Sequence, residues 1–350
     1  MKKKKLAIIG CFGEGKQLFD GQTVSTRLLG NVLDKSNAFK KICKVDTCDY
    51  QKRKIKVLFS WLACMFSCKY IIVMLSGNGL KVFSPLLYYA NKIFRRKIYH
   101  RVIGGELDSF LARNPKCIKY MNSFELNWVQ SYKLVKKLDE IGLKNAEYLE
   151  NFREITPICL PGGRDCFAQP FKFCTFSRVT ESKGISVAIE AIAKVNQELG
   201  DGTAILHVYG PVEEDYAEKF YSLVSSHGDC VEYKGSVPSE KAVETLKEYY
   251  MHLFPTTWSG EGFPGTLIDC YNAALPTIAS DWAYNPELII EGETGYLYDW
   301  QQPEKLKDKI VEAIQKKTNT WRMKGNCLQE AEKYKSETVT AKIVNRIINR

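Results

Sequence analysis

The chain has 350 residues, of which 45% are apolar and 26% charged, a composition that excludes a disordered or membrane-embedded protein and fits a globular one. One hydrophobic core rarely serves a chain of this length, so two domains are expected. The net charge of +10 is uneven: residues 1–150 hold 28 Lys and Arg against 12 Asp and Glu, a net charge of +16, whereas residues 151–350 hold 22 against 28. The basic first half predicts an anionic partner, for which nucleic acid and an anionic membrane surface are the candidates.

No secretory signal is recognisable, because Lys2–Lys5 lead straight into an apolar run, LAIIG, that is too short for a signal-peptide core. The twelve cysteines include no C-x-x-C pair and no zinc spacing. Reduced thiols in a cytoplasmic protein are therefore favoured over disulfides or a metal site.

Short buried strands alternate with helices along the first half. Strands are predicted at four apolar segments: Lys5–Gly10, Lys41–Thr47, Tyr70–Leu75 and Lys97–Gly104. Helical patterns between them include Thr23–Leu33 and Pro85–Lys97. The stretch Val57–Leu75 is nearly long and apolar enough for a membrane span, but Lys69 divides it, and we interpret it as a buried helix followed by a buried strand.

The same alternation restarts in the second half. Its predicted strands are Phe171–Arg178, Ala204–Gly210, Val231–Val237, His252–Thr256, Leu275–Ser280 and Gly295–Asp299. Between the halves, Pro157–Pro170 is rich in Pro and Gly and lacks periodicity. We predict two doubly wound α/β domains, residues 1–165 and 166–330, facing across a cleft, and a C-terminal helix in residues 331–350 that could pack back on the first domain.

Two cations follow the first strand of the second half. In FSRVTESKG, Arg178 ends the strand and Lys183 precedes a glycine and a helix start. Cations beside a helix N-terminus at the carboxyl edge of a parallel sheet suit a diphosphate. On spacing alone, two solvated surface cations are the simpler interpretation.

A glycine-rich turn in Ser259–Cys270, SGEGFPGTLIDC, separates two acids. Phe263 precedes Pro264 and is thereby pushed toward an extended conformation, while Gly262 and Gly265 permit turns that other residues resist. This turn is expected to hold its flanking side chains in a fixed geometry.

The two acids flank the start of a helix predicted near Thr266, whose free amides are available to a ligand. Glu261 could accept sugar hydroxyls, and Asp269 could accept the paired hydroxyls of a ribose. TLID also has the spacing of a capping box, so a helix-capping role for Asp269 stays open.

Together these motifs resemble the second domain of the retaining GT-B glycosyltransferases of family 4, also called glycosyl transferases group 1. Arg178 and Lys183 match the family's arginine and lysine, and Glu261 and Asp269 match its pair of glutamates, with Asp269 one methylene shorter. LPTIASD and PELIIEGETGYLYD resemble the family's following segments. In the first half, FDGQTVSTRLL resembles its glycine loop and helix, and VIGGELDSFL its acceptor-side turn.

The resemblance implies a GT-B fold and transfer of a sugar, with retention of configuration, from a UDP- or GDP-linked donor to a saccharide or lipid-linked acceptor in surface polysaccharide or glycolipid assembly. It implies catalytic roles for Arg178, Lys183 and Glu261. The implied donor-binding residues are Gly21, Gln22, Gly262, Phe263, Pro264, Gly265, Thr266 and Asp269.

No cofactor or metal is expected, because the arginine, the lysine and the loop amides can stabilise the leaving diphosphate. The closest metal-type acid pair, Glu106 and Asp108, is interpreted as helix N-terminal charge. The family histidine that touches the donor sugar has no clear match, since His100 lies earlier than the corresponding point.

Other enzyme classes stay open at this point. A nicotinamide enzyme would use GCFGEG after the first strand and Asp46 after the second, but the glycines read G-x-x-G-x-G, a weak signal. A sugar-nucleotide epimerase, a phosphorolytic enzyme and a non-catalytic partner subunit would share the GT-B fold.

Basic runs in the first half lie beside apolar residues, notably KRKIK at Lys52–Lys56 and KIFRRK at Lys92–Lys97. Basic side chains among aromatic and aliphatic ones suit an interfacial membrane contact. We expect peripheral binding to the inner face of the cell membrane and no nucleic-acid partner.

Overall fold

The computed structural model describes residues 3–16, 21–156, 158–160 and 168–349. The chain forms two compact units, the first built from Met1–Phe152 and Ser336–Arg350 and the second from Arg153–Lys335.

The first unit contains a six-stranded parallel sheet in the order β2-β1-β3-β4-β5-β6. Its strands are β1 (Lys5–Gly10), β2 (Lys41–Asp46), β3 (Tyr70–Met74), β4 (Lys97–Arg101), β5 (Leu126–Val129) and β6 (Ala146–Tyr148). Its helices are α1 (Gly21–Lys35), α2 (Lys54–Ser67), α3 (Gly77–Phe94), α4 (Leu107–Arg113), α5 (Lys116–Met121), α6 (Tyr132–Glu140) and, from the end of the chain, α14 (Ser336–Ile348).

The strand order reverses between β1 and β3, which are direct neighbours in register, with Leu6 opposite Tyr70. From β1 the chain crosses outward to β2, and from β3 it crosses the other way to β4. Loops that leave the carboxyl ends of β1 and β3 therefore diverge and leave a crevice, the usual ligand position in open α/β sheets.

The C-terminal helix α14 completes the core of the first unit. Val339, Ile343 and Ile347 are fully buried in the same cluster as Leu29 and Leu33 of α1. Ion pairs of 2.5 Å, Lys342 with Glu150 and Arg346 with Glu147, add polar contacts at its edge.

The two units meet along the chain between Phe152 and Arg153, earlier than the limit predicted at residues 165 and 166, which itself lies outside the described residues. Phe152 is buried in the core of the first unit. The amide of Arg153 donates to the carbonyl of Tyr334, 3.0 Å away in the second unit. Long-range contacts, which the local composition does not reveal, thus set the division.

The second unit repeats the architecture with a parallel sheet in the order β12-β11-β10-β7-β8-β9. Its strands are β7 (Phe171–Phe176), β8 (Ala204–Tyr209), β9 (Val231–Gly235), β10 (Met251–Phe254), β11 (Thr277–Ser280) and β12 (Gly295–Tyr298). Its helices are α7 (Ile185–Leu199), α8 (Ala217–Ser226), α9 (Ala242–Leu246), α10 (Gly265–Asn272), α11 (Asn285–Leu288), α12 (Lys305–Gln315) and α13 (Lys317–Ala331). The predicted pair of doubly wound domains is confirmed.

The apolar stretch Val57–Leu75 folds as predicted, with α2 ending at Ser67, Lys69 exposed between the elements and β3 fully buried. Among the residues that the structure describes, no helix combines the length and apolar character that crossing a membrane requires.

Candidate active site

The candidate site lies where the second sheet reverses its strand order. β7 and β10 are neighbours, and the chain winds outward from them in opposite directions, to β8 and β9 on one side and to β11 and β12 on the other. The loops after β7 and β10 therefore leave the sheet side by side, and both carry predicted site residues.

These two loops are fixed to each other by backbone contacts. The amide of Thr257 donates to the carbonyl of Ser182 at 2.8 Å. Gly184 has φ 68°, and a Cβ there would lie 2.1 Å from the carbonyl oxygen of Pro255. Only glycine allows both this left-handed backbone and this close approach. Gly184, which follows Lys183, therefore lets the two loops pack against each other.

Lys183 and Glu261 form a buried ion pair across the two loops. Lys183 Nζ lies 2.6 Å from Glu261 Oε2, and the two side chains are 8% and 5% exposed. Thr256 Oγ1 donates to the same carboxylate oxygen at 2.8 Å. One oxygen of Glu261 thus takes both donors, which leaves Oε1 outside this pair of hydrogen bonds.

Burial lowers the pKa of Lys183 below its ordinary value, and the carboxylate of Glu261 acts in the opposite direction. A charge removed from water is tolerated when its partner satisfies it, whereas loss of one partner of a buried pair typically costs about 3–5 kcal/mol. Lys183 and Glu261 therefore act as one unit, and a ligand meets a preformed pair.

Trp258 lies between the two cations of the site. Lys183 Nζ is 4.5 Å and the guanidinium carbon of Arg178 is 5.2 Å from the centroid of its ring, distances typical of cation–π contacts. Trp282 Nε1 donates to the carbonyl of Trp258 at 2.8 Å, and a Cβ on Gly260 would come within 2.6 Å of the indole. The backbone of Trp258 is thus anchored, Gly260 leaves room for its ring, and both cations lie close to that ring.

Arg178 is the accessible cation of the site. Its side chain is 46% exposed and pairs with Glu213, which follows β8. An exposed ion pair contributes little, about 0–1 kcal/mol, because water screens it. Arg178 can therefore turn toward an incoming anion at small cost, unlike the buried Lys183.

The glycine-rich turn closes through the amide of Glu261, which donates to the carbonyl of Trp258 at 3.1 Å. Phe263 is buried, and its ring contacts that of Tyr334 at 5.1 Å between centroids. Its side chain belongs to the core, which leaves only its backbone for the donor contact predicted for Phe263. Pro264 is extended, with ψ 125°, and α10 begins at Gly265, one residue before the predicted start at Thr266.

Asp269 does not cap α10, so the capping-box interpretation is wrong. The N-cap residue is Pro264, without a side-chain hydrogen bond. Asp269 Oδ1 instead accepts from Arg153 Nε at 3.1 Å. Burial raises the pKa of Asp269, and the Arg153 guanidinium opposes that rise. A Cβ on Gly265 would lie 1.4 Å from Arg153 Nη2, so the glycine also makes room for this arginine.

The first unit places the two other predicted donor residues at its own reversal point. Gly21 begins α1, and Gln22 Nε2 donates to the carbonyl of Met74, the last residue of β3, at 3.3 Å. Ser76 Oγ donates to Gln22 Oε1 at 3.2 Å. The residues before Gly21 in the resembling segment, 17–20, lie outside the described residues.

Asp46 argues against the nicotinamide alternative. Its carboxylate accepts hydrogen bonds from the amides of Phe12, Gly13 and Cys48 at 2.9–3.2 Å. Burial raises the pKa of Asp46, but these backbone hydrogen bonds outweigh it, and the net shift is downward. The carboxylate that a dinucleotide enzyme would present to the ribose therefore holds its own loop, and the G-x-x-G-x-G pattern is structural.

His100 is a buried structural residue. Its ring nitrogens lie 3.2 Å from Asn127 Oδ1 and 3.4 Å from the carbonyl of Leu75, and burial lowers its pKa to about 4. Glu106 occupies the N-cap position of α4 and Asp108 its first turn. The described residues contain no cluster of three or more His, Cys, Asp or Glu side chains suited to a metal ion.

Sequence reasoning missed Arg153, Thr256, Trp258 and Glu213. Thr256 and Trp258 lie in the loop after β10. Because ligands bind at the carboxyl ends of strands in such sheets, their position in the sequence could have marked them as site residues. Arg153 lies 116 residues before its partner, and nothing in its neighbourhood marks it.

Fold and site together define the class of the protein. Two Rossmann-like units, the second with arginine, lysine and glutamate at its strand-order reversal, form a two-domain GT-B protein, as the motifs predicted. Residues 170–316, which lie in the second unit, match the family model Glycosyl transferases group 1.

Several known proteins are similar to the chain. AmsK, an amylovoran biosynthesis glycosyltransferase of Erwinia amylovora, is 31% identical over 138 residues, which cover 38% of this chain and 33% of AmsK. Anabaena HepE, solved in complex with UDP and glucose, has a TM-score of 0.75 at 14% identity and covers 99% of this chain and 100% of its own. Sucrose-phosphate synthase from Thermosynechococcus elongatus has a TM-score of 0.77 at 14% identity over 97% of each chain. The matched stretch spans a third of AmsK, and the two structures show the fold.

The buried pair predicts coupled stability effects. Lys183→Met should destabilise the second unit by about 3–5 kcal/mol in urea unfolding, because it leaves Glu261 buried and unpaired. The double variant with Glu261→Gln should recover part of this loss. The exposed Arg178→Met serves as control and should cost less than about 1 kcal/mol. Additive effects of the two single changes would contradict the pairing.

The Arg153–Asp269 contact predicts a pH-dependent variant. Burial already raises the pKa of Asp269, and Arg153→Met removes the interaction that opposes it. A carboxyl with a raised folded-state pKa loses stability as pH rises, so the variant should lose more unfolding free energy at pH 7 than at about pH 4. In an Asp269→Asn background the same change should cost the same amount at both pH values. A pH-independent cost in the native background would refute the contact.

Proposed function

We propose that the protein is a retaining glycosyltransferase, of hexosyltransferase type, that moves a sugar from a nucleotide-diphosphate donor to an acceptor hydroxyl in the assembly of a surface polysaccharide or glycolipid. The observation that carries this proposal is the cluster at the β7–β10 reversal, where Arg178, Lys183 and Glu261 meet around Trp258 within a group 1 glycosyltransferase domain.

The relatives support the donor and the acceptor class. HepE was solved with UDP and glucose, and AmsK is named for the synthesis of the polysaccharide amylovoran. A UDP-linked sugar is the donor we favour, with a GDP-linked sugar as the alternative, and the acceptor is a saccharide or a lipid-linked saccharide.

The leaving group of the proposed reaction is a nucleoside diphosphate, on which negative charge develops as the glycosidic bond breaks. Arg178 is exposed and can meet this charge directly, while Lys183 supplies a fixed positive potential from within its pair. The amides of Gly265 and Thr266, at the N-terminus of α10, provide further donors. Preorganised donors of this kind stabilise a leaving oxyanion without reorganisation.

We assign the orientation of the transferred sugar to Glu261. Lys183 and Thr256 both donate to its Oε2, and Oε1 is the oxygen we assign to a sugar hydroxyl. We assign no side chain as a nucleophile. In the proposed front-face displacement, the departing phosphate oxygen accepts the proton of the acceptor hydroxyl. Asp269, tied to Arg153, would receive the ribose hydroxyls through its second oxygen.

We propose that the enzyme works in the cytoplasm. The eleven cysteines that the structure describes are all free thiols, seven of them buried, as in a reducing compartment.

Donor binding and turnover test the proposal together. UDP or a UDP-sugar should raise the melting temperature of the protein more than GDP and its sugars do, because only a ligand of the folded state stabilises it. Arg178→Ala should reduce turnover about a hundredfold, the usual effect of losing one charge-stabilising donor. Arg322→Ala is the matched control, since Arg322 is another exposed arginine paired with an acid. Nucleotide-sugar turnover without an acceptor would favour the epimerase or phosphorolytic alternative, and nucleotide binding without turnover a partner subunit.

Chelation tests the role of metal ions. With two cations and the loop amides at the diphosphate position, activity should persist in EDTA. Activity that disappears on chelation and returns with Mg²⁺ or Mn²⁺ would show that a metal ion carries the charge instead.

A further inference from the structure

Helix α2 has two apolar faces, only one of which packs on the first unit. Val57, Trp61, Cys64 and Met65 are buried against the sheet. A second apolar stripe runs along the opposite side at helical spacing, formed by Ile55, Phe59, Leu62 and Phe66. Ile55, Phe59 and Phe66 are 73%, 67% and 69% exposed. A helix whose outer side faces only water usually carries polar residues there. The apolar stripe therefore indicates that this side of α2 binds a partner.

Helix α3 repeats the pattern with the same spacing. Val82, Leu86, Tyr89 and Ile93 form its outer stripe, and Ile93 is 79% exposed. The inner side, with Leu80, Phe83 and Leu87, is buried.

The two stripes lie on one side of the first unit. The crossovers from β2 to β3 and from β3 to β4 run in the same direction along the sheet, which places α2 and α3 on the same face. The rings of Phe66 and Phe94 meet at 4.7 Å between centroids, and Arg96 donates to the carbonyls of Met65 and Phe66. We call this surface the α2–α3 face, defined by the eight outer residues of the two stripes.

The segment that contains the α2–α3 face carries charge of one sign. Residues 50–105 hold eleven lysines and arginines and no aspartate or glutamate. Lys52, Lys54 and Lys56 are exposed at the start of α2, and Lys92 and Arg95 at the end of α3. Lys92 Nζ also lies 5.0 Å from the ring centroid of Tyr88. A protein partner would have to supply a matching acidic rim, whereas an anionic lipid surface offers both negative headgroups and apolar depth.

We propose that the α2–α3 face docks on an anionic lipid membrane, with its aromatic and aliphatic stripes in the headgroup–acyl boundary and its basic residues at the phosphates. The inference stands apart from the proposed catalytic activity, because it rests on residues of the first unit only. It extends the contact expected from the basic runs to the outer stripes of both helices; Leu87, which precedes Lys92–Lys97, is buried, and Arg96 is occupied in holding the end of α2.

Co-sedimentation of the full chain with vesicles tests the proposal. The protein should pellet with phosphatidylcholine vesicles that contain phosphatidylglycerol, remain in the supernatant with phosphatidylcholine alone, and be released by salt. Lys52→Gln, Lys54→Gln and Lys56→Gln together should weaken binding by about two orders of magnitude. The matched control changes three exposed lysines of the second unit, Lys172, Lys241 and Lys317, to Gln and should bind normally.

A second triple variant, Ile55→Gln, Phe59→Gln and Ile93→Gln, removes apolar contact without touching the core and should also lose vesicle binding. Its control replaces the exposed Ile141, Tyr221 and Ile290 with Gln. Equal recovery of the native protein in the supernatant with anionic and neutral vesicles at low salt would overturn the proposal. Self-association in sedimentation velocity that the apolar variant abolishes, without vesicle binding, would assign the face to a second copy instead.

Discussion

The geometry of the second unit depends on a buried charge pair. Lys183 and Glu261 are 78 residues apart in sequence, and each would be costly inside the protein without the other. Their contact therefore joins the loop after β7 to the loop after β10. The hydroxyl of Thr256, the ring of Trp258 and the close approach of Gly184 to Pro255 all lie around this contact. The attraction within the pair and the hydrogen bond from Thr256 oppose its desolvation cost, and together they fix the two loops before a ligand arrives.

The two cations of the site differ in what they can do. Lys183 is buried and held by Glu261, so it contributes position and a local field. Arg178 is solvated and loosely held by Glu213, so it can follow a substrate that enters or a product that leaves. Under the proposed function, one fixed and one mobile cation would allow a diphosphate to be bound and then released.

The alternation of strands and helices followed from local patterns, because periodicity and glycine-rich turns are short-range signals. Lys183 and Glu261 were identified as site residues through the family resemblance, and their ion pair across 78 residues was not predicted. The role of Asp269 did not follow. TLID has the spacing of a cap, yet Arg153, 116 residues earlier, takes its carboxylate. Asp46 shows the same limit, since only the fold reveals that its oxygens are occupied by the amides of the first loop. The exposed side of α2 could not be predicted either, because its outer stripe is as apolar as its buried side.

The place of α14 has a consequence for biosynthesis. The first unit lacks Val339, Ile343 and Ile347 until the last segment of the chain has been made, although most of its sheet is made first. Domains usually fold in the order of their synthesis. In this chain the second unit is complete in sequence before the first one is, so it can reach its native state while its neighbour still has an unfilled groove beside α1. The core of the first unit can therefore be completed only after the segment that forms the second unit has been synthesised.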